Sequence, residues 1–176
     1  MKKLLIFALL TITGAVSAAT LEDDMELLGV SVWHKKNISK SEMISMMRDY
    51  EVVTATNAIA YSECGKTFFL NSATEFASTL PLPQAGCYFK FIVAAAPAAA
   101  SYTVVTNGSG NILIGGINES EVDTSDDGPY DNNGDTITFA DGVAVVGDYV
   151  EMISDGSSWF VNGQANADGG ITVTGS

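Results

Sequence analysis

The chain has 176 residues, 47% of them apolar, and its 8 Lys and Arg against 21 Asp and Glu give a formal net charge of −13. A surface of that sign repels phosphate backbones and anionic membrane surfaces, which argues against nucleic-acid binding. The length suffices for one domain with a core of its own and hardly for two.

Residues 1–19 have the pattern of a cleaved export signal. Lys2 and Lys3 precede an uncharged apolar run, and the small residues Val16 and Ala18 mark a cleavage site after Ala18 or Ala19. The run is short for a membrane span, and Thr and Gly interrupt it. We therefore expect an exported protein with no membrane span after removal of the leader, and with a net charge near −15, since the leader holds two lysines and no acid.

Residues 20–50 are predicted to form a short helical segment. Two stretches in it, "LEDDMELL" and "SKSEMISMMRDY", are predicted to be short helices. In the second, Ser39 and Glu42 have the spacing of a capping box, and three methionines share one side, at Met43, Met46 and Met47. This methionine stripe indicates packing against the domain that follows. The other interpretation is a docking helix for a partner.

From residue 51 to 176 the sequence is typical of an all-β domain. Short stretches rich in Val, Ile, Thr, Phe and Tyr alternate with turn signals such as Asp155-Gly156. We expect an antiparallel β-sandwich or compact barrel of about nine or ten short strands, with a hairpin and a four-residue loop around Asp155-Gly156. The predicted strands are Lys66–Asn71, Phe76–Leu80, Cys87–Ala94, Tyr102–Thr106, Ile112–Ile114, Thr136–Ala140, Val143–Val146, Tyr149–Ser154, Trp159–Asn162 and Ile171–Thr174.

The two cysteines, Cys64 and Cys87, allow two interpretations. In an exported protein an even number of cysteines favours a disulfide. Alternation of Cys87 with Phe89 and Phe91 fits a buried free thiol equally well. A bridge requires the starts of two parallel strands, or a turn folded back over one strand end, to bring the α-carbons within about 7 Å.

The connection over residues 115–135 carries seven acids and no base. Oxygen-bearing side chains stand in it with the spacing of the first half of a calcium loop, at Asp123, Ser125, Asp127 and Asp131. The closing glutamate of that motif is replaced by Gly134. A solvated acidic loop and a calcium site are therefore both open interpretations.

Catalytic patterns are scarce in this sequence. The single histidine, His34, lies in the predicted helical segment, far in the chain from the nucleophiles of the β region. No glycine-rich phosphate loop or zinc spacing is present in the sequence. We predict a protein that is not an enzyme and needs no cofactor other than, in the second interpretation of the acidic loop, Ca²⁺.

Several stretches occur in an order that resembles a known β module: "GKTFFL", "TLPLPQAGCYFKFIV", "TITF" and "DGSSWFVNG". The module is found in bacteriophage tail-fibre and virion decoration proteins, as in marine viruses, and the resemblance covers about residues 61–174. It implies a non-catalytic structural module that assembles with protein, by self-association or on a virion. The alternative is a secreted or cell-surface domain that adheres to glycans, with the acidic loop as its calcium site.

Overall fold

The regular structure of this protein consists of short strands. The computed structural model describes residues 49–72, 74–120 and 130–175, all within one compact unit, Ser41–Ser176. Two 3-10 turns, Tyr61–Glu63 and Asn107–Ser109, precede β3 and β7. The strands are β1 (Tyr50–Val53), β2 (Asn57–Ala58), β3 (Thr67–Leu70), β4 (Phe76–Thr79), β5 (Tyr88–Val93), β6 (Tyr102–Val105), β7 (Leu113–Glu119), β8 (Tyr130–Gly134), β9 (Thr136–Phe139), β10 (Tyr149–Ser154), β11 (Trp159–Ala165) and β12 (Ile171–Thr174).

The strands form two sheets that share one hydrophobic core. One sheet has the order β1-β3-β5-β10-β11-β7-β8, and the other has the order β12-β9-β6-β4-β2. Side chains from both sheets belong to a single buried cluster, which includes Phe89 and Trp159 from the first sheet and Phe139 from the second. The predicted all-β fold and its sandwich architecture are confirmed, because each sheet buries one face and alternation places every second side chain in the core.

The expectation of purely antiparallel pairing is wrong. Among the described strands, five pairs are parallel and five are antiparallel. From β1 to β6 the chain alternates between the two sheets, so that β1, β3 and β5 fall in one and β2, β4 and β6 in the other. Successive strands of one sheet then run in the same direction. A strand of the facing sheet thus serves as the crossover that parallel pairing requires.

Three further predictions about the secondary structure are wrong. The described ranges hold twelve strands, more than the nine or ten expected. The predicted strand Val143–Val146 is a series of turns, in which the Asp148 carboxylate accepts the N–H of Val145 and so removes a donor that a sheet would need. Tyr50 begins β1, so the helical segment cannot extend to it. The predicted signal peptide and the remainder of the helical segment lie outside the described residues.

A disulfide joins Cys64 and Cys87, with α-carbons 5.1 Å apart. Cys64 lies in the turn before β3 and Cys87 directly before β5, and these two strands are parallel neighbours. Parallel pairing brings the starts of both strands to the same edge of the sheet, which is the first of the two arrangements that a bridge requires.

Candidate functional site

The seven-stranded sheet has one face in the core and an outer face that the second sheet does not cover. Along β10, Val150, Met152 and Ser154 are buried, and the alternate side chains point outward. Strand pairing aligns these outward positions with those of the neighbouring strands. We define the outer face as the outward side chains of β1, β3, β5, β10, β11 and β7.

One end of the outer face is apolar. Ile153 on β10 lies opposite Phe160 on β11 and opposite Tyr88 on β5, and Phe160 is in register with Ile114 on β7. Ile153 is 51% exposed and Phe160 is 44% exposed. We call these four side chains the apolar end. Large apolar side chains at adjacent exposed positions form a contiguous patch, which single scattered residues do not.

A polar network crosses the middle of the outer face. Lys90 and Glu151 are in register on β5 and β10, with 3.7 Å between Nζ and the carboxylate. The Tyr88 hydroxyl donates to Glu151 at 3.1 Å. Burial raises the pKa of the Tyr88 hydroxyl above its ordinary value of 10.0, and the Glu151 charge raises it further, so the phenol stays a neutral donor. Lys90 also lies 4.1 Å above the ring of Tyr149, a cation–π contact.

An aromatic pair lies on the outer face at the edge of the sheet that β1 forms. Tyr50 on β1 meets Phe69 on β3 edge to face, with ring centroids 5.9 Å apart. Tyr50 is 63% exposed, and Val52, which pairs with Phe69, is 47% exposed. The exposed apolar surface thus extends beyond the apolar end.

No residue of the outer face was predicted from the sequence to be functional. The alternation in "YVEMIS" assigns Ile153 to the side opposite the buried Val150 and Met152. A single apolar residue on the solvent side of a strand is ordinary, so this position alone does not indicate a contact. Only the register shows that Ile153 and Phe160 are neighbours.

The predicted calcium ligands are not brought together by any described geometry. Asp123, Ser125 and Asp127 lie outside the described residues, and Asp131 belongs to β8, where it pairs with Gly115. Within 49–72, 74–120 and 130–175, no group of three or more His, Cys, Asp or Glu could hold a metal ion. The calcium loop stays a prediction. His34, the only histidine, also lies outside these ranges.

Among the residues that the structure describes, no helix is long and apolar enough to cross a membrane. Comparison of the chain with protein-family models, with curated proteins and with solved structures gave no match.

Proposed function

We propose that this protein is a non-catalytic structural module that associates with a second copy of itself through the outer face of its seven-stranded sheet. The observation that carries the proposal is the apolar end, where Ile153 and Phe160 lie side by side and about half exposed. Burial of such a pair against a partner removes apolar surface from water and so favours association. The resemblance to fibre and decoration modules, which assemble with protein, supports the same function.

Charge favours the outer face over the rest of the surface as the contact. The chain carries a net charge of −13, so two copies repel each other over most of their surfaces. On the outer face the one lysine and the one glutamate among the described strand residues already neutralise each other, as the Lys90–Glu151 pair. Two copies can therefore approach through this face at a lower electrostatic cost than through any strongly acidic surface.

The Lys90–Glu151 pair also suits a two-fold interface. In a symmetric dimer the same patch is used by both copies, so each contact occurs twice. Lys90 and Glu151 are adjacent and opposite in charge, and a two-fold axis between them sets the lysine of each copy against the glutamate of the other. Like-charge contacts are thereby avoided.

The size of the face sets the expected affinity. Six strands about 4.8 Å apart, with three rows of outward side chains about 7 Å apart, present roughly 600 Å². A stable interface buries about 800 Å² on each partner. We therefore expect a weak dimer that becomes strong only when many copies are held together, as on the surface of a particle.

Sedimentation velocity of the mature chain over a concentration series tests the proposal. We expect reversible self-association, and a loss of affinity of about tenfold or more in Phe160→Ser, since a few large apolar side chains supply most of the binding energy of an interface. The matched control is Leu82→Ser, which removes an even more exposed apolar side chain from the turn between β4 and β5. A monomer at every concentration, or equal effects of the two variants, contradicts the proposal.

We further propose that the protein works outside the cytoplasm, on a virion or on a cell surface. The leader pattern and the Cys64–Cys87 disulfide both support export, because disulfides persist in oxidising compartments. Mass spectrometry of the native protein tests this: a chain that begins at Ala19 or Thr20 with its disulfide intact is expected, and an uncleaved, reduced chain contradicts it.

A further inference from the structure

A cavity opens at one end of the seven-stranded sheet, beside Tyr149 and Gln164. These two residues are in register on β10 and β11, and both side chains point outward. Its volume is about 310 Å³, at the small end of the range of roughly 300–1,000 Å³ that ligand sites occupy. Tyr149 lies four residues before Ile153 on β10, about 13 Å away along the strand. The cavity is therefore separate from the apolar end. Tyr149 and Gln164 are nevertheless outward side chains of the outer face, so a self-association that covers the whole face would compete with a ligand here.

The wall of this cavity is fixed by one buried carboxylate. Asp148 is 4% exposed, and its two oxygens accept the backbone N–H groups of Val145 and Asn166, both at 2.9 Å. The backbone of Asp148 also bonds to Val93, which ties the turn to β5. A wall held in this way needs little reordering when a ligand enters, which reduces the entropic cost of binding.

The lining of the cavity combines apolar surface with neutral hydrogen-bonding groups. Val145 and Val146 form a lip and are 37% and 64% exposed, an unusual placement for valines in a turn. Gln164 donates one amide N–H to the Ser120 hydroxyl at 3.2 Å. Within the described residues, the second N–H and the carbonyl oxygen of this amide, and the side-chain amide of Asn166, are not engaged.

These groups select one class of ligand. No Lys or Arg lines the cavity, and the chain is acidic, so an anion is disfavoured. The Asp148 carboxylate is already bonded to two backbone amides, which leaves neutral amides and a hydroxyl as the exposed partners. A sugar ring offers hydroxyls to such groups and C–H bonds to the two exposed valines. We infer that this cavity binds a single uncharged sugar ring.

Chemical-shift mapping on the mature chain tests the inference. The probes are glucose, galactose, mannose and N-acetylglucosamine, each titrated into the tens of millimolar. At least one is expected to shift the amide resonances of Gly147, Asn166 and the Gln164 side chain, with an affinity in the millimolar range because so small a ligand makes few contacts. Gln164→Leu is expected to weaken that binding about tenfold, by removing hydrogen bonds that leucine cannot replace.

The matched control is Gln84→Leu, the same substitution at an exposed glutamine in the turn before β5. It is expected to leave sugar binding unchanged, and spectra of both variants check that the fold is intact. Three outcomes overturn the inference: none of the four sugars shifts these resonances, Gln164→Leu binds as well as the unmodified chain, or glucosamine, an ammonium sugar, binds more tightly than N-acetylglucosamine.

Discussion

Ile153 on β10 lies directly opposite Phe160 on β11, and both side chains face away from the core. The hairpin between them fixes this relationship. Its loop, Asp155–Ser158, is closed by the Asp155 carboxylate, which accepts the backbone N–H groups of Ser157 and Ser158 at 2.8 Å. A loop of this length sets the register, and a slip of one strand by one residue would turn its apolar side chain into the core and end the pairing of Ile153 with Phe160.

Two phenylalanines of the seven-stranded sheet, Phe89 on β5 and Phe160 on β11, should respond very differently to the same substitution. Phe89 is completely buried, between Phe68 and Trp159, with ring centroids 5.8 and 5.5 Å away. Phe89→Ala should lower the free energy of unfolding by about 3–5 kcal/mol. Phe160→Ala should lower it by less than about 1 kcal/mol, because its ring is not part of the core. Urea denaturation of the dilute protein measures both, and equal losses would show that Phe160 is a core residue.

Reduction of the disulfide should destabilise the domain without changing its architecture. The bridge closes a separation of 23 residues, which is worth about 3 kcal/mol in the chain-entropy model. Urea denaturation with and without a reductant measures the loss. The double variant Cys64→Ser with Cys87→Ala is the control, and it should be insensitive to the reductant. An unchanged midpoint for the unmodified chain would contradict the prediction.

The ion pairs around Lys66 should make the free energy of unfolding depend on pH in the acidic range. Burial opposes ionisation of Glu63, but the N–H of Ala60 and the ammonium of Lys66 outweigh it and hold the pKa of Glu63 below 4.5. A depressed pKa contributes stability above the unfolded value, and that stability is lost as pH falls from about 4.5 through the folded value. Urea denaturation from pH 6 to pH 2 should show this loss, and Glu63→Gln should reduce it. The exposed Glu75, replaced by Gln, serves as the control.

The dependence of the free energy of unfolding on pH in the alkaline range follows from Lys66 itself. The hydrogen bond to Glu63, at 2.7 Å, is the largest cause that raises the pKa of Lys66 above 10.5; burial opposes it, and Glu51 adds to it. Stability from a raised pKa is complete below the unfolded value and is lost as pH rises above about 10.5. Lys66→Met should therefore cost roughly 1 kcal/mol at pH 7 and less at either extreme. A cost that is the same at pH 3, pH 7 and pH 11 would contradict the network.

Gly115 should tolerate no side chain. Its φ is +144°, and a Cβ there would overlap the backbone carbonyl of Val161 on β11. Gly115→Ala should cost about 3 kcal/mol or more, since both strain and overlap oppose it. Gly110→Ala is the control, because its backbone is ordinary and the nearest atom to a Cβ is 3.9 Å away. The control should change stability by less than about 0.5 kcal/mol in thermal unfolding. Equal effects would contradict the β7–β11 register.

Alternation in the sequence was enough to locate most strands and the core. The predicted strands that include Thr67–Leu70, Tyr88–Val93 and Tyr149–Ser154 match the structure within a residue or two at each end. The hairpin with a four-residue loop is confirmed, because it follows from local turn chemistry and period-two patterning.

Strand partners could not be predicted in the same way. Period-two alternation reports which side of a strand is buried, and it carries no information on which strand lies beside it. The parallel pairing of β3 with β5 depends on β4 crossing to the other sheet, a long-range feature. β8, with the sequence "YDNNG", has little intrinsic strand preference and is held by its pairing with β7.

The outer face could be predicted in part. The outward position of Ile153 follows from the alternation of β10, but its contact with Phe160 requires the register, and its neighbour Tyr88 comes from a strand more than sixty residues earlier. The cavity beside Tyr149 could not be predicted, because its lip, Val145 and Val146, belongs to a stretch whose composition predicts a strand. In the structure the Asp148 carboxylate accepts the Val145 N–H, and the stretch forms turns.

A dilution series of two-dimensional amide spectra decides whether the outer face mediates self-association. With rising protein concentration, the resonances of Tyr88, Ile153 and Phe160 should shift or broaden together, while those of β9 and β12 in the other sheet stay in place. In Phe160→Ser the same changes should require about tenfold more protein. Spectra that do not change with concentration, or changes confined to β9 and β12, would contradict association through this face.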